Sequence, residues 1–106
     1  MLETKKAEVA KIVGGRIRNI RQSKGLTIEQ LAFEVGIEYT QLSRIERGRI
    51  NTSIFQLFLI CKALNISFSE ISDDLTEVML WFSGQQQSFP LHLYVISDIL
   101  LTFNLV

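Results

Sequence analysis

The side chains that most clearly suggest a chemical role in this 106-residue chain are basic, and they occupy only one part of it. All eleven lysines and arginines lie between Lys5 and Lys62, and six carboxylates share that part, so the first 62 residues carry a net charge of +5. The remaining residues hold five carboxylates and no base, which gives −5. This asymmetry favours a chain of which one part faces a polyanion, although solvated helix faces would produce the same pattern.

No grouping of residues predicts catalysis or a metal centre. Cys61 is the only cysteine and His92 the only histidine, so one chain can form neither a disulfide nor a structural zinc site. Paired carboxylates and nucleophile–base sets are not evident either. We therefore expect a protein that is not an enzyme, with no cofactor and no metal. Cys61 follows Leu57 by four residues, which favours a small core side chain over a redox sensor.

Neither end of the sequence predicts secretion or membrane insertion. The first thirteen residues include Lys5, Lys6 and Lys11, unlike a signal peptide. The uncharged stretch near the end is interrupted by Asp98 and falls short of the ~20 apolar residues that a spanning helix needs. The expected location is the cytoplasm, with no membrane partner.

The basic residues must be positioned by helices, because apolar residues recur every three or four positions. The first helix is predicted from Glu8 to Lys24, although the pair Gly14-Gly15 weakens its middle and would allow a start near Arg16. Gly25 is placed for a left-handed cap. The apolar face of this helix comprises Val9, Ile12, Val13, Ile17 and Ile20.

Two short helices joined by a tight turn follow. Thr27 and Gln30 form a capping-box pattern for the second helix, which stops at Gly36. The third helix is predicted over residues 39–47, with Leu42 and Ile45 facing inward. A connection this short forces the second and third helices to cross at a steep angle, and this arrangement is a helix-turn-helix.

A fourth helix is predicted from Ile54 to Leu64, with Asn65 as its C-cap, and Ser67 opens a short fifth element. Asp73-Asp74 marks a boundary, so we expect a helix-turn-helix domain over residues 8–72 and an extension over residues 73–106. The structure of the extension is left open: residues 75–82 fit a short amphipathic helix, residues 91–97 a strand, and residues 99–106 either one.

Residues 16–71 resemble the phage-repressor/Cro-type, or XRE-like, helix-turn-helix regulators. The resemblance is carried by the strings GLTIEQLA from Gly25, GI from Gly36, LSRIERG from Leu42, SI from Ser53 and KALNI from Lys62. It implies a mainly α fold, a four- to five-helix repressor-like domain whose third helix enters the major groove of double-stranded DNA. Thr52 departs from the pattern, because many relatives carry proline there.

The resemblance also implies roles for individual residues. It places the expected base-reading side chains on or near the exposed face of the third helix: Glu38, Tyr39, Thr40, Gln41 and Arg44. It places the expected phosphate contacts around that helix: Thr27, Ser43, Arg47 and Arg49. Arg21 and Glu46 are expected to form an inward-facing ion pair between the first and third helices, with a structural role.

Surplus apolar residues predict an interface. Ile54, Leu57, Ile60 and Leu64 suffice for the core face of the fourth helix, yet Phe55, Phe58 and Leu59 are also present. Either the extension covers them or a second subunit does, and a homodimer would suit a palindromic operator.

A protein-interaction module that keeps the fold without reading DNA is the competing function. The operator sequence, the regulated genes, the sign of regulation and any effector are not predicted.

Overall fold

Every regular element in the described part of the chain, residues 2–85 of a computed structural model, is helical. This confirms the predicted mainly α class. The elements in chain order are α1 (Leu2–Ser23), α2 (Ile28–Val35), α3 (Tyr39–Glu46), α4 (Ile54–Leu64), α5 (Ser69–Ser72), a 3-10 turn (Asp73–Leu75) and α6 (Thr76–Gln85). The expectations for residues 91–97 and 99–106, and His92, lie outside the described residues.

The chain divides into two compact units, residues 1–76 and residues 77–106. In the first unit α1 packs against α3 and α5, and α2 packs against α3 and α4. One apolar core joins these helices, comprising Ile17, Ile20, Leu31, Ala32, Val35, Leu42, Ile45, Ile60, Cys61, Leu64 and Ile71. In the second unit the described element is α6, where the rings of Trp81 and Phe82 meet edge to face with centroids 4.8 Å apart.

The start of α1 corrects the sequence prediction. The helix begins at Leu2, not at Glu8 or Arg16, and runs without a break through Gly14 and Gly15. Gly14 is buried at the contact with α3, where an added Cβ would lie 2.0 Å from the carbonyl oxygen of Ile45. The glycine therefore permits two helix backbones to touch, and this tertiary contact outweighs its poor helix propensity.

The apolar face of α4 also differs from the prediction. Ile54 was expected in the core but is 81% exposed, because the buried face of the helix is formed further along by Ile60, Cys61 and Leu64. Leu59 was expected to be surplus, yet it is partly buried against the core. Phe55 and Phe58 are exposed, as expected.

Cys61 is a buried core residue, 6% exposed. Burial raises the pKa of its thiol, and the nearby carboxylate of Glu70 raises that pKa further. The thiol is therefore held neutral and poorly nucleophilic, as a packing side chain should be.

None of the helices in residues 2–85 is by itself long and apolar enough to span a membrane; α4 and the segment Ser69–Gly84 reach that length and composition only as a bent pair. Among the same residues, no group of three or more His, Cys, Asp or Glu side chains could hold a metal ion.

Candidate nucleic-acid interface

Helix α2, which leads into the turn before α3, is fixed at both ends by local hydrogen bonds. At the start of α2 the Thr27 hydroxyl accepts from the Gln30 backbone N–H at 3.1 Å, and the Gln30 side chain accepts from the Thr27 N–H at 2.8 Å. This confirms the predicted capping box. At its end Gly36 takes the left-handed conformation, with φ of 84°, and donates to the Ala32 carbonyl at 2.8 Å. The chain can therefore re-enter a helix at Tyr39 after only three residues.

The rotation of α3 about its axis is set by its buried face. Leu42 and Ile45 are at most 2% exposed, so they anchor one side of the helix in the core. Glu38, Tyr39, Thr40 and Arg44 are exposed, and Thr40 and Arg44, which lie four residues apart, share the side of the helix opposite Leu42. Glu38 occupies the N-cap position, but its side chain makes no capping hydrogen bond. The expected base-reading residues other than Gln41 are therefore all exposed, Thr40 and Arg44 on the outward side of α3 and Glu38 and Tyr39 at its start.

Gln41 is half-buried and is held by α4. Its Nε2 donates to the Oε1 of Gln56 at 3.3 Å, and the Thr52 hydroxyl donates to the same oxygen. A glutamine amide keeps a second N–H and its carbonyl oxygen, and those two groups match the edge of an adenine. Gln56 and Thr52 therefore orient Gln41. Sequence reasoning missed Gln56; the available sign was Thr52, where a hydroxyl replaces the usual proline.

The four expected phosphate-binding residues lie at the start of α2, on α3 and in the turn that follows α3. Thr27 stands exposed at the start of α2, and Ser43 is half-buried on α3. Arg47 is exposed, and its Nε donates to the Ser43 carbonyl at 3.2 Å, which lays the side chain along the end of α3. Arg49 is also exposed, and its backbone N–H donates to the Arg44 carbonyl at 2.9 Å. The two arginines therefore flank a tight turn directly after the exposed face of α3.

Behind α3 lies the ion pair of Arg21 and Glu46. The guanidinium donates from Nε to Oε2 at 2.7 Å and from Nη2 to Oε1 at 2.9 Å, while Nη1 donates to the Leu26 carbonyl at 2.7 Å. Both side chains are buried, at 7% and 5% exposure. Arg21 thus ties α1 to α3 and to the loop before α2, and it is turned away from the exposed face.

Gly14 completes the attachment of α3 to α1, and sequence reasoning missed this role. An added Cβ would lie 2.9 Å from the Glu46 carbonyl oxygen, in addition to its collision with Ile45. Gly14, Ile17 and Arg21 lie three and seven residues apart, so they share one face of α1. A glycine on the same face as a buried arginine was the sign of a close helix contact.

Comparisons with known proteins agree with this geometry. The HTH_3 helix-turn-helix family matches residues 17–71, just over half of the chain. The transcriptional regulator SlrR of Bacillus subtilis is 35% identical over 83 residues, which cover 77% of this chain but only 55% of SlrR.

Two solved restriction-modification controller proteins share the fold. C.AhdI from Aeromonas hydrophila superposes with a TM-score of 0.57 and 34% identity, covering 58% of this chain and 94% of C.AhdI. C.Esp1396I, solved as a tetramer in complex with its natural 35 base-pair operator, gives a TM-score of 0.59 and 35% identity over 68% of this chain and 95% of its own. The chain therefore belongs to the HTH_3, or XRE-like, helix-turn-helix family of DNA-binding transcriptional regulators.

Proposed function

We propose that this chain is a homodimeric regulator that binds a palindromic operator and reads it with α3 in the major groove. The observation that carries the proposal is the outward face of α3, where Arg44 is exposed and is followed three residues later by exposed Arg47, while the opposite face is buried in the core. An α-helix fits the major groove, and arginine is well suited to both guanine and phosphate. C.Esp1396I binds its natural operator, which supports operator binding by this chain as well.

The proposed base contacts follow from the chemistry of each side chain. The guanidinium of Arg44 grips the O6 and N7 atoms of a guanine, and Gln41 pairs with an adenine. Tyr39 and Thr40 meet a thymine methyl group or a phosphate. Glu38 accepts from the amino group of a cytosine, which is consistent with a carboxylate that makes no bond at the N-cap.

The proposed phosphate contacts lie at the two edges of this face. Thr27 offers a hydroxyl and the N-terminal amides of α2, a site that favours anions. Ser43, Arg47 and Arg49 contact the opposite DNA strand from the far side of α3. Because backbone contacts carry no sequence information, these residues set the position of α3 and not its preference.

The division of roles predicts different consequences for two arginines. Arg44→Ala should weaken binding to the preferred duplex by about 1–3 kcal/mol and relax the preference at one base pair. Arg47→Ala should weaken binding to preferred and shuffled duplexes alike, because it removes only a phosphate contact. Fluorescence anisotropy titrations of both variants on both duplexes measure the difference. If the two substitutions lower the two affinities in the same ratio, the assignment is wrong.

The proposed dimer surface lies on α4. Ile54, Phe55 and Phe58 are exposed by 81%, 68% and 57%, and the two phenylalanine rings stack with centroids 6.2 Å apart. Phe68, just before α5, is 51% exposed and lines the same depression as Ile54 and Phe58. A contiguous apolar patch of this kind marks an interface. We assign it to a second copy of the chain, because two-fold symmetry matches a palindrome.

Substitution of the α4 aromatics should therefore abolish the dimer. Phe55→Ser combined with Phe58→Ser removes the stacked pair from the patch, so sedimentation at micromolar concentration should change from dimer to monomer. Phe33→Ser is the matched control, because Phe33 is 85% exposed on α2 and does not line the depression formed by Ile54, Phe58 and Phe68, so its loss should leave the dimer intact. A wild-type chain that already sediments as a monomer would contradict the dimer.

Residues 73–106 are proposed to contribute to assembly and not to DNA contact. They contain no basic residue, and they carry Asp73, Asp74, Glu77 and Asp98, so a phosphate backbone would repel them. The competing function, a protein-interaction module that does not read DNA, leaves the exposed arginines of α3 and its following turn unexplained.

A further inference from the structure

The first four turns of α1 lie outside the family match, which begins at residue 17. They nevertheless pack beside the end of α3. Gly48, with φ of 69°, sits so close to α1 that an added Cβ would lie 2.6 Å from the Cα of Lys11. The N-terminal extension of α1, residues 2–16, is therefore fixed next to the turn that carries Arg47 and Arg49.

A shallow depression of about 220 Å³ separates the N-terminal extension of α1 from the turn that carries Arg47 and Arg49. Lys6 lines it from α1 and Arg49 lines it from the turn, while Glu3 is the one carboxylate on its wall. Lys6, Lys11, Arg47 and Arg49 are all exposed. Lys5 points its charge elsewhere, because its Nζ pairs with Glu8 at 3.0 Å.

These cations extend the basic surface of α3. Arg44 on α3 is followed by Arg47 and then by Gly48, which contacts Lys11. Arg49 and Lys6 line the depression from its two sides. Lys6 and Lys11 are about 7.5 Å apart along the helix axis, at 1.5 Å per residue. Five residues also turn the helix by about 140°, so the two lysines flank the part of α1 that faces the turn.

We propose that Lys6 and Lys11 contact phosphates of the operator backbone outside the base pairs read by α3, so that each protomer covers a longer stretch of DNA than the helix-turn-helix alone. The inference rests on the proposed function, because α3 must first be seated in the major groove. Its end then meets the backbone at Arg47, and the extension of α1 continues along that strand. The contacts carry no base preference.

The experiment uses the full chain and a duplex that it selects from a random pool. Lys6→Gln with Lys11→Gln is compared with Lys5→Gln, which removes a charge from the same helix but from another face. Affinity is measured as a function of salt on two duplexes, one with four extra base pairs at each end and one without them. Phosphate ethylation interference on the longer duplex maps the outer contacts.

On the longer duplex the slope of log affinity against log salt should become less negative by about 0.9 for each lysine removed from each bound protomer. The outermost ethylation signals should disappear, while Lys5→Gln should behave as wild type. On the shorter duplex the double variant and the wild type should have the same slope.

Unchanged slopes and unchanged outer signals in the double variant would overturn the inference while leaving the proposed function intact, provided that Arg44→Ala still loses base preference. Equal losses with Lys5→Gln would also overturn it, because the effect would then come from net charge alone. A wild-type chain that binds no duplex would remove both this inference and the proposed function.

Discussion

Adding one methyl group at Gly14 should unfold much of the protein, whereas adding it at Gly15 should stabilise the fold. At Gly14 the new Cβ would lie 2.0 Å from the Ile45 carbonyl oxygen, and a helix backbone cannot yield locally. Helices α1 and α3 would have to separate, so Gly14→Ala should lower the free energy of unfolding by about 3 kcal/mol or more.

Gly15 is the matched control, because it is the next residue of the same helix and nothing lies within 4 Å of its added Cβ. Gly15→Ala should raise the free energy of unfolding by about 0.5–1 kcal/mol, through helix propensity alone. Urea titrations followed by circular dichroism measure both changes. Equal effects of the two substitutions would show that α1 and α3 are not in backbone contact.

Removing either partner of the Arg21–Glu46 pair should cost about 3–5 kcal/mol of stability, because the other charge is left buried. Arg21→Ala also strips the Leu26 carbonyl of its 2.7 Å donor, so it should be the more harmful of the two single changes. A small domain has a total stability near the low end of 5–15 kcal/mol, so each variant should be largely unfolded well below the melting temperature of the wild type.

Two further variants separate the cost of leaving an unpaired charge buried from the cost of losing an ion pair as such. The double change Arg21→Met with Glu46→Leu replaces the pair by apolar side chains of similar size and should recover most of the lost stability. Lys5→Gln breaks an ion pair whose Glu8 carboxylate side is 43% exposed, and should cost less than about 1 kcal/mol. A double variant as unstable as the single ones would argue against an uncompensated buried charge as the cause.

The helices α2 and α4 were predictable because their ends carry local signals. Thr27 with Gln30, Gly36 and Asn65 all adopt the capping roles that their chemistry suggests. The helix-turn-helix and its exposed face follow from these boundaries and from the apolar residues between them. Local hydrogen bonds decide such features, so a single sequence is enough to predict them.

Features that depend on tertiary contacts were not predictable. The sequence shows that Gly14 lowers the helix propensity of α1, but the Ile45 carbonyl group whose close approach requires a glycine belongs to α3. Ile54 has core spacing, yet it lies one turn before the part of α4 that meets the core. The contact between Gln41 and Gln56 depends on side-chain conformations in two helices fifteen residues apart in sequence.

The central claim, that α3 reads a palindromic operator, is tested most directly by selection of duplexes from a random pool with the full chain. Titration of a recovered site and a shuffled duplex between about 50 and 200 mM salt completes the measurement. The account predicts a two-fold symmetric site with half-sites about one helical turn apart. It also predicts a log–log salt slope of about −5 to −9, since each protomer should neutralise roughly three to five phosphates. A pool that shows no enriched sequence, bound with an affinity that salt does not change, would contradict it.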